Sequence, residues 1–255
     1  MRKAVVTGLG VLSPIGLTVD EFWANLVAGV SGIGPITAFD ASDLHVRIAG
    51  EVKGFDPRNY IGHKEARRME RFAQFAVAVS RMALADAELE ITPANADQVG
   101  IVMNTGGGGM TEVALEEHTL IEKGPDRVTP FFVPLMAPNM ASAQPSIQLG
   151  IRGPVITSVA ACAAGTMAMM EALRLVRHGD ADVVIAGGTE SCMLPLAFAG
   201  LDNMHALSNR NEEPARASRP FDRDRDGFVF GEGAAALVVE SEEYARGRDA
   251  RILCE

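Results

Sequence analysis

Cys162 is the residue whose type and surroundings are best suited to covalent chemistry. It lies in the segment TSVAACAAGT (residues 157–166), where a short strand after Pro154 leads into a long apolar helix. A thiol at the start of a helix faces unpaired N–H groups and the positive end of the helix dipole, which favours the thiolate form. Small residues on both sides allow a sharp turn and leave room for a substrate. The alternative interpretation is a buried structural cysteine.

Two glycine-rich segments follow predicted strands and could bind phosphate groups. Residues 8–13 (GLGVLS) match half of the dinucleotide-binding pattern, but the third glycine is missing, Pro14 intervenes, and Asp40 lies too far along the chain to be the ribose-binding acid. Residues 106–109 (GGGG) lack the Lys-Ser/Thr pair of a phosphate-binding loop. The second segment therefore favours a tight turn where the backbone passes close to another group.

Residues 222–227 (DRDRDG) imitate the start of a calcium-binding loop. Position twelve of that loop would be Gly233, because Glu232 falls one residue short, and Pro220 stands where the entering helix should be. Two interleaved arginines neutralise the carboxylates, so the pattern favours a salt-bridged structural turn. The five histidines and three cysteines lack metal-ligand spacing, and the odd number of cysteines gives no disulfide framework. We therefore expect no bound metal.

The composition narrows the class of protein and partner. The 255-residue chain is 47% hydrophobic and 22% charged, which is enough apolar material for a sizeable core. A net charge of −10 disfavours binding to nucleic acid or to anionic membranes. Two long uncharged runs, residues 128–151 and 153–170, hold too many proline and polar residues to span a membrane. With no signal peptide and no disulfide framework, we expect a cytoplasmic protein.

The spacing of apolar residues predicts strands that alternate with helices. Runs rich in Val and Ile predict strands at residues 3–7, 99–104, 182–186 and 234–240. Helical spacing predicts one helix over residues 64–87 and a second from about residue 162 to 178, apolar nearly all round and therefore buried. The alternation predicts an α/β protein with a largely parallel sheet.

The last residues predict a surface helix and one further strand. Residues 241–248 have the pattern of a short surface helix, and residues 250–253 begin a strand-like segment. We expect this segment to have no partner within the chain. The expectation is therefore that the sequence is cut inside a larger fold.

Lys64, Arg67, Arg68 and Arg71 form a basic group in an acidic protein. Lys64 and Arg68 are four residues apart, as are Arg67 and Arg71, so a continuous helix would carry all four as a ridge at one end. Two neighbouring glutamates offset part of the charge. The ridge is either a solvated helix face or a docking surface for an acidic partner.

Several segments, in order along the whole chain, resemble the beta-ketoacyl-acyl-carrier-protein synthases, the decarboxylating condensing enzymes of fatty-acid synthesis. The segment around Cys162 resembles their nucleophile elbow. The resemblance is closest to the elongating synthases, and it makes residues 222–227 a structural turn of the family. The other matching segments are residues 5–10 (VVTGLG), 13–16 (SPIG), 130–134 (PFFVP), 138–140 (PNM), 179–182 (GDAD), 186–188 (AGG), 218–222 (SRPFD) and 231–234 (GEGA).

The resemblance implies a thiolase-like fold with α-β-α layers, of which this chain would be the N-terminal half with the C-terminal half missing. We expect residues 1–248 to form the N-terminal ketoacyl synthase domain and residues 249–255 to be the truncated start of the C-terminal half. For the complete protein the resemblance implies a homodimer, an acyl carrier protein as partner and no cofactor.

The resemblance also implies an activity. In the family, the cysteine takes an acyl group from a carrier protein, malonyl-carrier protein loses CO2, and the carbanion attacks the thioester to give a 3-oxoacyl product. Cys162 would be that nucleophile, with its backbone N–H in the oxyanion hole. The histidines that assist decarboxylation lie in motifs resembling Gly-Thr-x-Thr and Gly-His-x-x-Gly, which no histidine of this chain matches. We therefore expect this chain alone not to catalyse the condensation.

Three residues correspond to the acyl pocket of the family: Gly107, Phe132 and Ala161. Gly107 stands where some elongating members have a bulky aliphatic residue. The resemblance therefore implies a roomier pocket that accepts longer or branched chains.

Four basic residues correspond to the surface that meets the acidic carrier protein in the family. Asp126 and His205 replace other basic positions of that surface, so docking is expected to be altered. The four corresponding residues are Lys64, Arg67, Arg68 and Arg127.

Other interpretations stay open beside this one. The chain could be a non-catalytic partner of a ketosynthase, although such subunits usually replace the cysteine, or it could be a polyketide-type ketosynthase subunit. A nucleotide-binding oxidoreductase built on residues 8–13 is the remaining alternative.

Overall fold

Seven strands form two sheets in the computed structural model, which describes residues 1–255. The strands are β1 (Ala4–Leu12), β2 (Ile33–Pro35), β3 (Ile48–Gly50), β4 (Val99–Asn104), β5 (Val155–Ile156), β6 (Val183–Glu190) and β7 (Gly233–Ser241). The main sheet has the order β1-β7-β6-β4-β5, and β2 pairs with β3 in a separate two-stranded sheet.

The four predicted strands are confirmed, but the main sheet is mixed rather than largely parallel. β4 runs parallel to β5 and β6. β7 lies between β1 and β6 and runs antiparallel to both. The apolar pattern of β7 could not show its direction, because that direction depends on the path of the long connection that precedes it.

Helices cover both faces of this sheet, in the α-β-α layering that the family resemblance implies. The apolar side chains of β4 alternate between the two layers: Ile101 and Met103 belong to the core on one face, and Val102 belongs to the core on the other. The helices are α1 (Val19–Val27), α2 (His63–Ala66), α3 (Arg71–Asp86), α4 (Met110–Lys123), α5 (Phe132–Met136), α6 (Met140–Leu149), α7 (Ala164–His178), α8 (Pro195–Asn203) and α9 (Glu242–Gly247).

The helix predicted over residues 64–87 is two helices with a bend between them. α2 ends at Ala66, and α3 begins at Arg71, where the carboxylate of Glu70 accepts the N–H of Phe72 as an N-terminal cap. Glu70 is buried. Apolar spacing continues across the bend, which is why periodicity alone predicts one helix.

α7 is buried on one face only, which corrects the prediction of burial all round. Ala168, Ala172 and Val176 are fully buried against the sheet. On the opposite face, 60% of the surface of Met170 is exposed. Apolar composition does not separate the two faces, because alanine and methionine occur on both.

Gly8 and Gly10 lie inside β1 and not in a loop. A Cβ at either position would overlap backbone atoms of α3, so these glycines allow the helix to pack closely on the strand. The half-match to a dinucleotide-binding loop is therefore a packing feature, and the oxidoreductase alternative loses its basis.

The last residues of the chain have a partner, contrary to expectation. Ser241 caps α9 through a hydrogen bond from the N–H of Tyr244. Beyond α9, Leu253 donates to the carbonyl of Val6, and Val6 donates to the carbonyl of Cys254. The segment thus begins to pair with the free edge of β1. None of the helices has the length and apolar character needed to cross a bilayer.

Candidate active site

The turn that carries Cys162 has an unusual backbone conformation. Cys162 lies in a 3₁₀ turn, Ala161–Ala163, that leads directly into α7. Ala161 has a φ of +46°, in the left-handed region that residues with a Cβ rarely adopt. Such a conformation costs on the order of 1–3 kcal/mol and persists where neighbouring contacts hold it.

Asn104, at the carboxyl end of β4, holds both sides of this turn. Its Oδ1 accepts the N–H of Ser158 at 2.7 Å, and its Nδ2 donates to the carbonyl of Ala164 at 3.0 Å. The side chain is almost fully buried. This role of Asn104 was not predicted, although a polar residue at the end of an apolar strand is a visible signal in the sequence.

Cys162 is exposed and opens onto a mostly apolar cavity of about 640 Å³. The loop after β4 and the end of β6 form one wall. α8 contributes Leu196 and Leu201 to the lining, and Met204 follows directly after this helix. A cavity of this size and character can bury an apolar ligand, and Cys162 stands where a reactive group of that ligand would lie.

The loop of residues 106–109 is a tight turn, as the sequence predicts. The N–H groups of Gly106 and Gly107 both donate to Oε2 of Glu190, at 3.0 and 2.8 Å. Gly108 has a φ of +58°, and its N–H donates to the hydroxyl of Thr105. The close neighbour of the glycine backbone is therefore a carboxylate of the protein rather than a phosphate.

Cys192 fills the space beside Gly107. A Cβ at Gly107 would overlap the Sγ of Cys192, so the room left by the missing side chain is already occupied there. This contact limits the additional pocket space expected from Gly107. Both residues line the cavity, and Sγ of Cys192 donates to Oε1 of Glu190 at 3.0 Å.

Burial raises the pKa of the Cys192 thiol far above its ordinary value, and the negative charge of Glu190 raises it further. This thiol therefore stays protonated at neutral pH. Burial likewise raises the pKa of Glu70 to about 7, with a smaller contribution from the charge of Glu190. Ser191 links the two regions, because its hydroxyl donates to Glu70 and its N–H donates to Glu190.

The segment of residues 222–227 is a salt-bridged turn, as predicted. Arg219 pairs with Asp222, and Arg210 pairs with Asp226. The N–H of Asp224 donates to the carboxylate of Asp222. No group of three or more His, Cys, Asp or Glu side chains in the molecule is arranged to hold a metal ion.

Comparison with known proteins assigns the chain to a family. Residues 1–245 match the model of the beta-ketoacyl synthase N-terminal domain. The chain belongs to the beta-ketoacyl synthase family. A 3-oxoacyl-[acyl-carrier-protein] synthase 2 from Synechocystis sp. is 49% identical over 254 residues, which cover 100% of this chain and 61% of that relative. This chain thus spans about three fifths of the length of the curated relatives that it matches.

Solved structures of the family have the same fold. A beta-ketoacyl synthase from Burkholderia phymatum superimposes with a TM-score of 0.90 at 32% identity, over 99% of this chain and 62% of that one. A type II PKS acyl-carrier protein in complex with its ketosynthase bound to the hexaketide gives a TM-score of 0.80 at 30% identity, over 98% of this chain and 61% of that one. The fold is therefore thiolase-like, as the resemblance implies.

The structure brings together two of the three predicted pocket residues. Gly107 and Ala161 line the cavity beside Cys162. Phe132 begins α5 and is not among the residues that line this cavity. Its role in a pocket of the ketosynthase stays a prediction.

The predicted docking residues of the ketosynthase lie on the surface without ion-pair partners, whereas Arg71 turns inward. The guanidinium of Arg71 pairs with the buried carboxylate of Glu232, with two nitrogen–oxygen distances of 2.8 Å, and stacks on the ring of Phe75. Arg71 is therefore not part of a basic ridge. The four residues that are exposed are Lys64, Arg67, Arg68 and Arg127.

A cation–π contact joins the two segments that carry these basic residues. The guanidinium of Arg68 lies 4.8 Å from the ring centroid of Phe131. Phe131 stands four residues after Arg127, which ends the 3₁₀ turn Pro125–Arg127. The contact places the α2–α3 bend beside the segment that leads into α5.

Proposed function

We propose that the protein to which this chain belongs is a 3-oxoacyl-acyl-carrier-protein synthase of fatty-acid elongation. Cys162 attacks the carbonyl carbon of an acyl thioester, the thiol of the carrier leaves, and the acyl group stays on Sγ. Malonyl-carrier protein then loses CO2, and its carbanion attacks the acyl carbonyl and releases Cys162 with a 3-oxoacyl product.

The observation that carries this proposal is the exposed thiol of Cys162 at the mouth of the apolar cavity. An acyl chain bound in that cavity would place its thioester carbonyl near the thiol, which converts the transfer into a step between positioned groups. The backbone N–H of Cys162 is proposed as part of the oxyanion hole. The names of the curated relatives agree with this reaction.

Acyl transfer to Cys162 is the experiment that tests the proposal. The chain is mixed with dodecanoyl-acyl carrier protein, and the intact mass and its peptides are measured. We expect one dodecanoyl group on Cys162 and none on the Cys162→Ala variant. Equal acylation of Cys254, which is also exposed, or no acylation at all, would contradict the assignment.

An acyl carrier protein is the proposed partner, and Lys64, Arg67, Arg68 and Arg127 are its proposed docking surface. None of the four has an acidic partner within the chain, so their charges are free to meet an acidic protein. The solved structure of a related ketosynthase with its carrier protein supports a partner of this class.

Charge reversal tests the docking surface. The double variant Arg67→Glu/Arg68→Glu is expected to weaken carrier binding about tenfold or more at low salt, with a smaller loss at high salt, because salt screens surface charges. Arg177→Glu, which reverses an exposed charge on α7, is the matched control. Unchanged carrier binding by the double variant, measured by titration at two salt concentrations, would reject the surface.

We further propose that the complete protein is a cytoplasmic homodimer and that residues 249–255 begin its second half. The two-residue edge strand β5 supports pairing with another copy, since Val159 and Ile147 beside it are exposed.

The 255-residue chain alone is proposed to accept an acyl group without condensing it, because no histidine here has the motif expected for decarboxylation. Release of CO2 from malonyl-carrier protein by the purified chain would contradict this.

A polyketide-type ketosynthase is a second candidate, favoured by the structural likeness to a type II polyketide ketosynthase. The two candidates differ in the acyl group that Cys162 accepts. Transfer of saturated chains indicates fatty-acid elongation. Transfer of 3-oxoacyl chains only would indicate the polyketide reaction.

A further inference from the structure

Glu190 is a carboxylate in the wall of an otherwise mostly apolar cavity, and the proposed reaction gives it no role. It is the last residue of β6 and lines the cavity together with Cys162. A carboxylate beside an apolar ligand is unfavourable unless its oxygens are well occupied by donors. The contacts of this carboxylate should therefore explain why it is present in the cavity wall.

All four donors to this carboxylate are neutral, and three of them, Gly106, Gly107 and Cys192, line the cavity. Oε2 accepts the N–H groups of Gly106 and Gly107. Oε1 accepts the N–H of Ser191 at 3.1 Å and the thiol of Cys192 at 3.0 Å. One side chain thus joins the loop after β4 to the segment after β6.

The parallel register explains why these groups meet. Asn104 at the end of β4 pairs with Gly188 of β6, so Gly106 and Glu190 each lie two residues further along. The chain leaves β4 in a loop of glycines that has no side chains to fix it. Hydrogen bonds from a neighbouring strand can supply the missing restraint.

The loop is also in contact with the turn that carries the nucleophile. A Cβ at Gly106 would lie 2.9 Å from Oε2 of Glu190 and 3.3 Å from the Cα of Ala161. Gly106 is therefore held between the carboxylate and the residue that precedes Cys162. A displacement of the loop would change both the cavity wall and the support of the turn.

We propose that Glu190 is a positioning residue, whose carboxylate holds the Gly106–Gly107 backbone so that the cavity beside Cys162 has the shape that accepts a long apolar chain. This inference rests on the proposed function, since it concerns the cavity in which the acyl chain would bind. Glu190 acts through the loop and takes no part in the transfer itself. The reach of its side chain matters, and its charge does not.

Two conservative variants separate reach from charge. Glu190→Gln removes the charge and keeps an oxygen that can accept the two loop N–H groups. Its NH2 group replaces Oε1, so the N–H of Ser191 loses its acceptor, while the sulfur of Cys192 can accept from the NH2 group. Glu190→Asp keeps the charge and shortens the side chain by one methylene group, so the two loop N–H groups lose their acceptor. A role of the charge would predict the opposite order of effects. Glu117→Gln, which alters an exposed carboxylate of α4, is the control for loss of charge.

The experiment compares two alkylating reagents that share one reactive group, iodoacetamide and N-dodecyl iodoacetamide, on the 255-residue chain. Rates at Cys162 are measured by peptide mass spectrometry, and the exposed Cys254 serves as the internal reference. The quantity of interest is the dodecyl-to-short rate ratio at Cys162 divided by the same ratio at Cys254. Thermal unfolding curves verify that each variant is folded.

We expect a normalised ratio of about ten or more in the unmodified chain, a value within twofold of it for Glu190→Gln, and a loss of at least about fivefold for folded Glu190→Asp. An unchanged ratio for Glu190→Asp, or a loss in Glu190→Gln equal to that in Glu190→Asp, would overturn the positioning role. If Glu190→Asp does not fold, Glu190→Ala takes its place: a fivefold loss in Glu190→Ala with retention in Glu190→Gln supports the role, and retention in both variants overturns it. A normalised ratio near one in the unmodified chain would overturn the proposed acyl cavity, and the inference with it.

Discussion

Two thiols border the same cavity in opposite environments. Cys162 is exposed, in a turn of unusual backbone conformation at the start of α7. Cys192 is buried, donates to the carboxylate of Glu190, and has a strongly raised pKa. The same chemical group is therefore available for reaction at one position and closed to it at the other.

The difference shows that lining a cavity is not enough to make a cysteine a nucleophile. A buried thiol next to a carboxylate resists ionisation, because both the loss of solvent and the neighbouring negative charge disfavour the thiolate. Cys192 instead serves packing, since it fills the room beside Gly107. The contrast between the thiols can be tested at four points.

Alkylation is expected to separate the two thiols by the largest factor. Near neutral pH, we expect iodoacetamide to modify Cys162 at least about 100-fold faster than Cys192, because the raised pKa and burial of Cys192 suppress its thiolate. Time-resolved peptide mass spectrometry measures both rates in one sample. Comparable rates for the folded chain would show that the environments do not differ as described.

The pH dependence of stability tests the carboxylate side of the contrast. The pKa of Glu70 is raised to about 7 from an ordinary 4.5. Between these pH values the folded chain keeps a proton that the unfolded chain has lost, so the unfolding free energy falls as pH rises. Protonated Glu70 contributes its full share of the unfolding free energy below about pH 4.5. This share, on the order of 3 kcal/mol, is lost as the pH rises to about 7.

In the Glu70→Gln variant, the unfolding free energy should no longer fall as the pH rises from 4.5 to 7 on account of residue 70. Its side-chain oxygen can still accept the N–H of Phe72, so the helix cap is kept. Urea unfolding at pH 5 and pH 8 is the measurement, with Glu117→Gln as the exposed control. The charge of Glu70 also raises the pKa of Cys192, so the variant should make Cys192 easier to alkylate above pH 7. If the unfolding free energy changed equally between pH 5 and pH 8 in the variant and in the unmodified chain, the raised pKa of Glu70 would be contradicted.

The next largest effect is expected from Asn104, whose side chain bonds both sides of the turn that carries Cys162. Asn104→Ala leaves the N–H of Ser158 and the carbonyl of Ala164 without their partner, which costs on the order of 2 kcal/mol of stability. We expect acylation of Cys162 to slow about tenfold, because the turn is then free to relax. Asn104→Asp keeps the acceptor for Ser158 but sets a buried carboxylate oxygen against the carbonyl of Ala164, so we expect it not to restore the acylation rate. If the Asn104→Ala variant were less stable but acylated Cys162 at the unmodified rate, the turn would not need Asn104 to keep its conformation.

The sequence predicted the parts of the site that depend on residue type and left out those that depend on register. Cys162 before a helix and the tight glycine turn were both visible as local patterns. The meeting of Glu190 with Gly106 depends on the pairing of β4 with β6. Strand pairing is a property of distant segments, and no pattern within either strand encodes it.

The same distinction explains the two main errors about the fold. Apolar spacing runs through residues 64–87 without a break, yet the buried carboxylate of Glu70 starts a new helix there. The direction of β7 depends on where its long connection leads. In neither case does the spacing of apolar residues carry the deciding information. The mixed sheet and the bend between α2 and α3 therefore depend on tertiary structure, which the secondary-structure propensities of the residues do not predict.

The smallest expected effect concerns the shared space between Gly107 and Cys192. Gly107→Ala places a Cβ where the Sγ of Cys192 lies, so we expect a loss of stability on the order of 1 kcal/mol from overpacking. Cys192→Ala removes that sulfur and leaves a small void of similar cost. The double variant should be more stable than the sum of the two losses predicts, by about 1 kcal/mol, because each change corrects the other.

Urea unfolding of the four proteins measures this coupling directly. Additive losses would mean that the two side chains do not share the space, and Gly107 would then widen the cavity as the family resemblance implies. Coupled losses would mean that Cys192 already takes that room. The alkylation rate of Cys162 should be unchanged by Cys192→Ala, because the second thiol packs the cavity and does not assist the first. A slower reaction at Cys162 in that variant would instead show that the two thiols act together.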